Sequence, residues 1–91
     1  MTCLEQLPQV LDLSLAQALR DRVAEGLRAG ALTVDAGAVE RVSTPCLQVL
    51  LAAGRAAEQA GTSYSIVNAS DAFGSALADL GLRTAFSKWI A

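Results

Sequence analysis

The residues best suited to chemistry are two neighbouring hydroxyls, Ser43 and Thr44, which stand directly before Pro45 and an apolar run at helical spacing. The pair Thr44-Pro45 is typical of a helix start. A hydroxyl there can accept a hydrogen bond from a free backbone N–H, and proline has no N–H to leave unpaired. A helix N-terminus also stabilises an anion or a covalent phosphate through its free N–H groups and its dipole. The turn therefore has two interpretations, a simple helix cap and a functional turn.

Two carboxylates have a similar pair of interpretations. Asp35 ends the apolar run Leu32-Thr33-Val34, which is typical of a buried strand, and ligands of open α/β sheets bind at the carboxyl ends of strands. An aspartate in this position also caps the loop that follows it. Asp12, just before the first predicted helix, has the same two interpretations.

Enzymatic chemistry finds little support in the composition. The chain has no histidine, no glycine-rich phosphate loop and no pair of carboxylates at one evident site. Its two cysteines, Cys3 and Cys46, do not have metal-ligand spacing, and we expect free thiols in a reducing compartment, with Cys46 packed early in its helix. The sequence therefore predicts no catalytic turnover, no cofactor and no bound metal.

Length, charge and hydropathy limit the class of protein further. The 91 residues, 53% of them hydrophobic, predict a single globular domain over residues 1–91. The net charge is −2 and the basic residues are scattered, which disfavours nucleic acid as a partner. No apolar run approaches the roughly 20 residues needed to cross a bilayer. The N-terminus lacks the pattern of a secretory signal, so we expect a cytoplasmic protein without direct membrane insertion.

Strand and helix signals alternate along the chain. Pro8 limits the first segment to one or two short strands near a sheet edge. The predicted elements are strands within Cys3–Leu13, a helix from a Ser14–Gln17 capping box to Gly30, a strand over Leu32–Asp35, a helix from about Pro45 to Ala60 ending at Gly61, a strand over Thr62–Val67, and a helix capped by Ser70 and closed by Gly81. Residues 82–90 are compatible with a short helix or with an irregular tail.

This order predicts an α/β fold, a small and mostly parallel sheet of about four strands with right-handed crossovers and helices packed on it. In the second helix, Gly54 falls on the inward face and should let the helix lie close to the sheet. In the third helix, Phe73, Leu77 and Leu80 form the predicted apolar stripe.

Several short motifs, in this order, resemble the STAS domain family, the fold of bacterial anti-sigma factor antagonists and of relatives in lipid transport and anion transporters. The motifs are Leu32-Thr33-Val34-Asp35-Ala36, the loop Val39-Glu40-Arg41-Val42, the turn Ser43-Thr44-Pro45-Cys46-Leu47, Gly61, and Ser70 through Leu80-Gly81-Leu82. The resemblance covers nearly the whole chain. It implies a protein-binding switch and not an enzyme.

The turn before the second helix departs from the antagonist pattern, which is close to Asp-Ser-Ser-Gly-Leu with the second hydroxyl phosphorylated by a partner kinase. Here Ser43 takes the place of the aspartate, Thr44 the first hydroxyl, and Pro45 the usual phosphoacceptor. In lipid-transport members a threonine matches Thr44, and the turn docks on a transporter ATPase. The run from Cys46 to Leu51 looks closest to small STAS proteins encoded beside chemotaxis genes.

The resemblance thus implies a regulatory module that binds an anti-sigma kinase-like protein or a chemotaxis component. The alternative is an accessory subunit of a lipid-transport ABC ATPase. In both cases Ser43 and Thr44 are the expected phosphoacceptor or partner-contact turn. The expected partner-binding surface around the turn consists of Asp35, Pro45, Gln48 and Arg55.

Overall fold

The computed structural model describes residues 3–90 and alternates short strands with helices. The strands are β1 (Cys3–Gln6), β2 (Val10–Leu11), β3 (Ala31–Asp35), β4 (Arg41–Val42) and β5 (Ser63–Val67), and the helices are α1 (Ala16–Arg28), α2 (Thr44–Ala60), α3 (Asp71–Asp79) and α4 (Arg83–Phe86). One 3-10 turn, Leu13–Leu15, precedes α1. The predicted α/β class is confirmed.

The main sheet is parallel and has the strand order β1-β3-β5. It holds three strands where about four were expected, because β2 and β4 form a separate parallel pair of two residues each. The sequence predicts a loop at β4, since two residues are too short to show alternation. Beyond β5, the backbone N–H of Ile66 donates to the Trp89 carbonyl at 2.7 Å, so the C-terminal segment adds one bridge to that edge.

Helix α1 begins differently from the prediction. Its first turn has no side-chain cap, and Ser14 lies inside the preceding 3-10 turn. Asp12 directly precedes the 3-10 turn and accepts a hydrogen bond at 3.0 Å from the backbone N–H of Ser14, two residues on, as aspartates before turns commonly do. The predicted capping box is therefore wrong, and the cap interpretation of Asp12 is confirmed.

Helix α2 starts one residue before the predicted position. Thr44 is its first residue, Pro45 its second, and Ser43 is the N-cap, because the Leu47 N–H donates to the Ser43 carbonyl at 3.1 Å. The predicted end is confirmed, with Gly61 at φ 71° in the left-handed region that glycine tolerates. Thr44 is thus not the cap residue.

In the third helix and the C-terminal segment the predicted cap is confirmed, and the predicted roles of Leu80 and Gly54 are wrong. The Ser70 hydroxyl accepts from the Phe73 N–H at 3.1 Å, as predicted. Leu80 is 44% exposed because α3 ends at Asp79 and the apolar stripe stops with it. A side chain at Gly54 would meet the Trp89 ring. The missing side chain therefore makes room for this ring, and not for the sheet as predicted.

The apolar residues of all layers form one buried cluster between the sheet and its helices. Its largest fully buried side chains are Phe73, Phe86, Leu11, Leu32, Leu47, Leu50, Ile66 and Leu77. Tyr64 and Phe86 each meet the Trp89 ring edge to face, with ring centroids 5.5 Å apart. Across residues 3–90, no helix is both long and apolar enough to span a membrane.

Candidate interaction site

The turn before α2 is fixed by hydrogen bonds to backbone carbonyls of the segment that precedes α1. The Ser43 N–H donates to the Leu11 carbonyl at 2.7 Å, which continues the β2–β4 pair by one step. One turn later, the buried Cys46 thiol donates to the Asp12 carbonyl at 3.4 Å. The first turn of α2 is therefore held in place without any help from its hydroxyls.

The two hydroxyls of this turn have opposite environments. The Ser43 hydroxyl oxygen is buried and has no hydrogen-bond partner among residues 3–90, even though Ser43 occupies the N-cap position. Thr44 is exposed on the first turn. Of the pair, Thr44 is the hydroxyl that another protein can reach without a change in this fold.

Gln48 and Arg55 lie on the same side of α2 as Thr44. Positions four and eleven residues further along a helix return to one face, and all three residues are exposed. Pro45 is half-buried beside them. These four predicted site residues therefore lie along one side of α2, over residues 44–55.

Asp35 lies in a different place, at the carboxyl end of β3. Its carboxylate accepts from the Gly37 N–H at 2.8 Å and from the Asn68 side-chain amide at 3.5 Å. With Gln6 and Asn68 it lines a shallow cavity of about 480 Å³ to which no residue of α2 contributes. The geometry is that of a loop cap, in a cavity that α2 does not line.

A groove that the sequence analysis missed runs between the outer sides of α1 and α2. Its volume is about 440 Å³, and Pro45 and Gln48 form part of its α2 wall. The signal in the sequence was a set of alanines at helical spacing on the outer sides of both helices, at positions 16 and 24 in α1 and 52 and 56 in α2. Such positions usually hold polar residues in a helix that faces only water.

Within the described range 3–90, no cluster of three or more His, Cys, Asp or Glu side chains is placed to hold a metal ion. Burial raises the pKa of Tyr64, whose hydroxyl donates to the Leu50 carbonyl at 2.9 Å inside the core. This phenol packs in the core, and its hydroxyl is engaged by the protein's own backbone.

Comparison with known proteins identifies a family model and a solved structure that resemble this chain. A family model described as "Mlab, STAS domain" matches residues 6–88. A crystal structure of a sulfate transporter family protein from Wolinella succinogenes is similar with a TM-score of 0.67 and 16% identity, covering 99% of this chain and 79% of that chain. Comparison with curated protein sequences gives no significant match.

Proposed function

The chain belongs to the STAS domain family, and on this premise we propose that it is a regulatory protein–protein interaction module without catalytic activity. The proposed binding surface is the exposed side of the first turns of α2. Its proposed partner is a signalling protein, either anti-sigma kinase-like or a chemotaxis component. The resemblance of the sequence to this family is confirmed by the matched residues, 6–88.

The observation that carries the proposal is the exposure of Thr44 beside Gln48 and Arg55. The turn is already fixed by the backbone hydrogen bond from Ser43 to Leu11 at 2.7 Å, so the Thr44 side chain is not needed to hold it. Exposed polar side chains on a rigid turn supply directional contacts at little cost in conformational entropy. A partner can therefore bind this surface without rearranging it.

A second candidate is an accessory subunit of a lipid-transport ABC ATPase that uses the same surface. Two observations favour it. Pro45 stands where the antagonists carry their phosphoacceptor, and the Ser43 hydroxyl is enclosed, which leaves Thr44 as the accessible hydroxyl of the turn. Thr44 is also the residue that matches the threonine of the lipid-transport members.

The test measures binding of the purified chain to purified candidate partners encoded beside its gene, a regulatory kinase or a transporter ATPase. We expect Thr44→Glu to weaken binding by about 2 kcal/mol or more, because the new charge must be desolvated at an interface built around a neutral hydroxyl. Thr44→Ser should bind nearly as the wild type does. The class of protein that binds decides between the two candidates.

Thr84→Glu is the matched control, since Thr84 is likewise an exposed threonine near the start of a helix, here α4. It should leave the affinity unchanged. Chemical denaturation of each variant separates a loss of binding from a loss of folding. If Thr44→Glu and Thr84→Glu bind a partner as tightly as the wild type does, the proposed surface is wrong.

A further inference from the structure

The groove between α1 and α2, here the α1–α2 groove, has the dimensions of a docking site for a helix. Both helices connect strands of one parallel sheet, so they run in the same direction side by side. Their lining residues extend from 16 to 27 in α1 and from 45 to 56 in α2. The eleven steps between the first and last position on each helix cover about 17 Å, or three turns, by the rise of 1.5 Å per residue.

The groove has a shallow apolar lining. Ala24, Ala52 and Ala56 are exposed along it, and Val49 and Leu27 are half-buried. Alanine leaves little side chain between a helix and whatever packs on it. An apolar segment seated here would remove these side chains from water, which is favourable in proportion to the area buried.

The walls of the groove determine the conformation of such a segment. Both walls are helices, whose backbone N–H and C=O groups are already paired within each helix. An extended peptide would find no strand edge to pair with and would leave its own peptide groups unsatisfied as it lost water. A helix satisfies its own backbone, so it is the conformation that can bury an apolar face here.

The charge of the lining indicates the chemistry of the occupant. Arg20 is its charged residue, Gln48 adds a neutral amide, and the lining contains no carboxylate. Among residues 3–90, no carboxylate lies within 4.0 Å of the Arg20 guanidinium. The chain as a whole carries −2, and the larger cavity beside α3 contains both Asp71 and Arg83. The lining of the α1–α2 groove therefore carries one positive charge and no negative charge, on a protein of net charge −2.

We propose that the α1–α2 groove receives an amphipathic helix of the protein partner, with small or medium apolar residues along one face and an acidic residue opposite Arg20. The proposal rests on the proposed function, because Pro45 and Gln48 belong both to the groove and to the proposed binding surface. It adds α1 to that surface and defines the kind of segment that the partner presents.

Site-specific photocrosslinking in living cells of the source organism tests the proposal. The photoreactive residue p-benzoylphenylalanine replaces Ala24 or Ala56 in the groove, Arg55 on the exposed side of α2, or Ser75 on α3 as a control, all four being exposed positions. We expect the Arg55 position and at least one groove position to crosslink the same protein. Mass spectrometry should map the groove crosslink to a helical segment of that protein with an acidic residue beside its apolar face.

The outcomes separate the two proposals. Crosslinks from Arg55 but from neither groove position would overturn the groove proposal and leave the proposed function in place. Groove crosslinks to a second copy of this chain, to a lipid or to an extended segment would also overturn it. The absence of crosslinks above the Ser75 control at every position would overturn both.

A charge reversal tests the acidic residue. Arg20→Glu should lower the yield of the groove crosslink about tenfold, and reversing the charge of the crosslinked partner's acidic residue to lysine should restore it. Arg28→Glu is the matched control, because Arg28 is exposed on the same helix and does not line the groove. Equal yields for Arg20→Glu and Arg28→Glu would overturn the assignment of an acidic partner residue.

Discussion

At the scale of single residues, the two serines that precede α2 and α3 occupy the same position and have different energetics. Ser43 and Ser70 are both N-caps with extended backbone, at φ −80° and −67°. The Ser70 hydroxyl accepts from Phe73 at 3.1 Å and donates to the Val39 carbonyl at 2.6 Å. The Ser43 hydroxyl makes neither kind of bond to residues 3–90. A hydroxyl that is buried without a partner loses its bonds to water and gains nothing in return.

We therefore predict opposite effects for the two alanine substitutions. Ser70→Ala should lower the free energy of unfolding by about 1–2 kcal/mol, because it removes a cap and the partner of the Val39 carbonyl. Ser43→Ala should change it by less than about 0.5 kcal/mol or raise it, since no bond is lost and a desolvated hydroxyl is removed. Urea denaturation of both variants gives the comparison. A loss at Ser43 as large as that at Ser70 would show that its hydroxyl is bonded in solution.

The sequence could predict the positions of these residues but not their different bonds. Both serines stand before a helix, and in both cases the helix start was found to within one residue. The Ser70 hydroxyl donates to the Val39 carbonyl, which lies 31 residues away along the chain. Contacts of this kind depend on tertiary structure and leave no local pattern in the sequence.

At the scale of the elements, α2 is fitted to the C-terminal segment through Gly54. A Cβ at this position would overlap the Trp89 ring, and the ring also meets Tyr64 edge to face. An ion pair of Lys88 with Glu58 at 2.7 Å joins the same two elements at the surface. Only a positive φ requires glycine for conformational reasons, and Gly54 does not have one. The close approach of the ring therefore depends on the missing side chain and not on backbone freedom.

Gly54→Ala should therefore destabilise the protein by about 1–3 kcal/mol, the usual cost of an overpacked core, even though alanine favours a helix by about 1 kcal/mol. Gly74→Ala is the matched control in α3, where an added Cβ meets nothing within 4 Å. This variant should gain about 0.5–1 kcal/mol from helix propensity alone. Thermal and urea unfolding of the two variants test both signs, and a stabilised Gly54→Ala would contradict the packing of Trp89 on α2.

Elements with strong local signals were predicted well, and those that depend on distant partners were not. Pro45 and Gly61 gave the limits of α2 to within one residue because they act on the backbone beside them. The contact of Gly54 was assigned to the sheet because Trp89 lies far along the chain in a segment with no clear pattern. The strands β2 and β4 are two residues long, and their pairing comes from the loop geometry around Gln9 and Ser43.

At the scale of the whole molecule, the parallel sheet and its helices follow from the order of the elements, as expected. The candidate site could be predicted only in part. Thr44, Pro45, Gln48 and Arg55 share one helix, so their common surface follows from helical spacing. The α1–α2 groove needs two helices packed side by side, and Asp35 was grouped with α2 because the sequence gives no distance between a strand end and a helix. Sites that span elements require the tertiary structure.

The buried phenol of Tyr64 should make the stability of the molecule sensitive to alkaline pH. Tyr64 is 8% exposed, its hydroxyl donates to the Leu50 carbonyl at 2.9 Å, and it packs against Trp89. Burial disfavours the charged phenolate, so the pKa of Tyr64 in the folded protein is raised well above its ordinary value of about 10. In the unfolded chain the same phenol loses its proton near pH 10.

The sign of the pH dependence follows from these two states. Above pH about 10 the unfolded chain binds fewer protons than the folded protein, so the contribution of Tyr64 to stability is complete below that pH and is lost as the pH rises further. We expect the free energy of unfolding to fall by up to about 1.4 kcal/mol per pH unit between pH 10 and 12 from this residue alone.

Tyr64→Phe should cost about 0.5–1.5 kcal/mol at pH 7 for the lost hydrogen bond and should show a shallower decline above pH 10. Urea denaturation of the wild type and of Tyr64→Phe across this pH range gives the contribution of Tyr64 as the difference between their free energies of unfolding. Tyr64 is the one tyrosine of the chain, so phenolate absorbance gives its titration directly. A normal titration near pH 10 in the folded protein, or parallel declines of the two proteins, would show that the phenol is not buried as described.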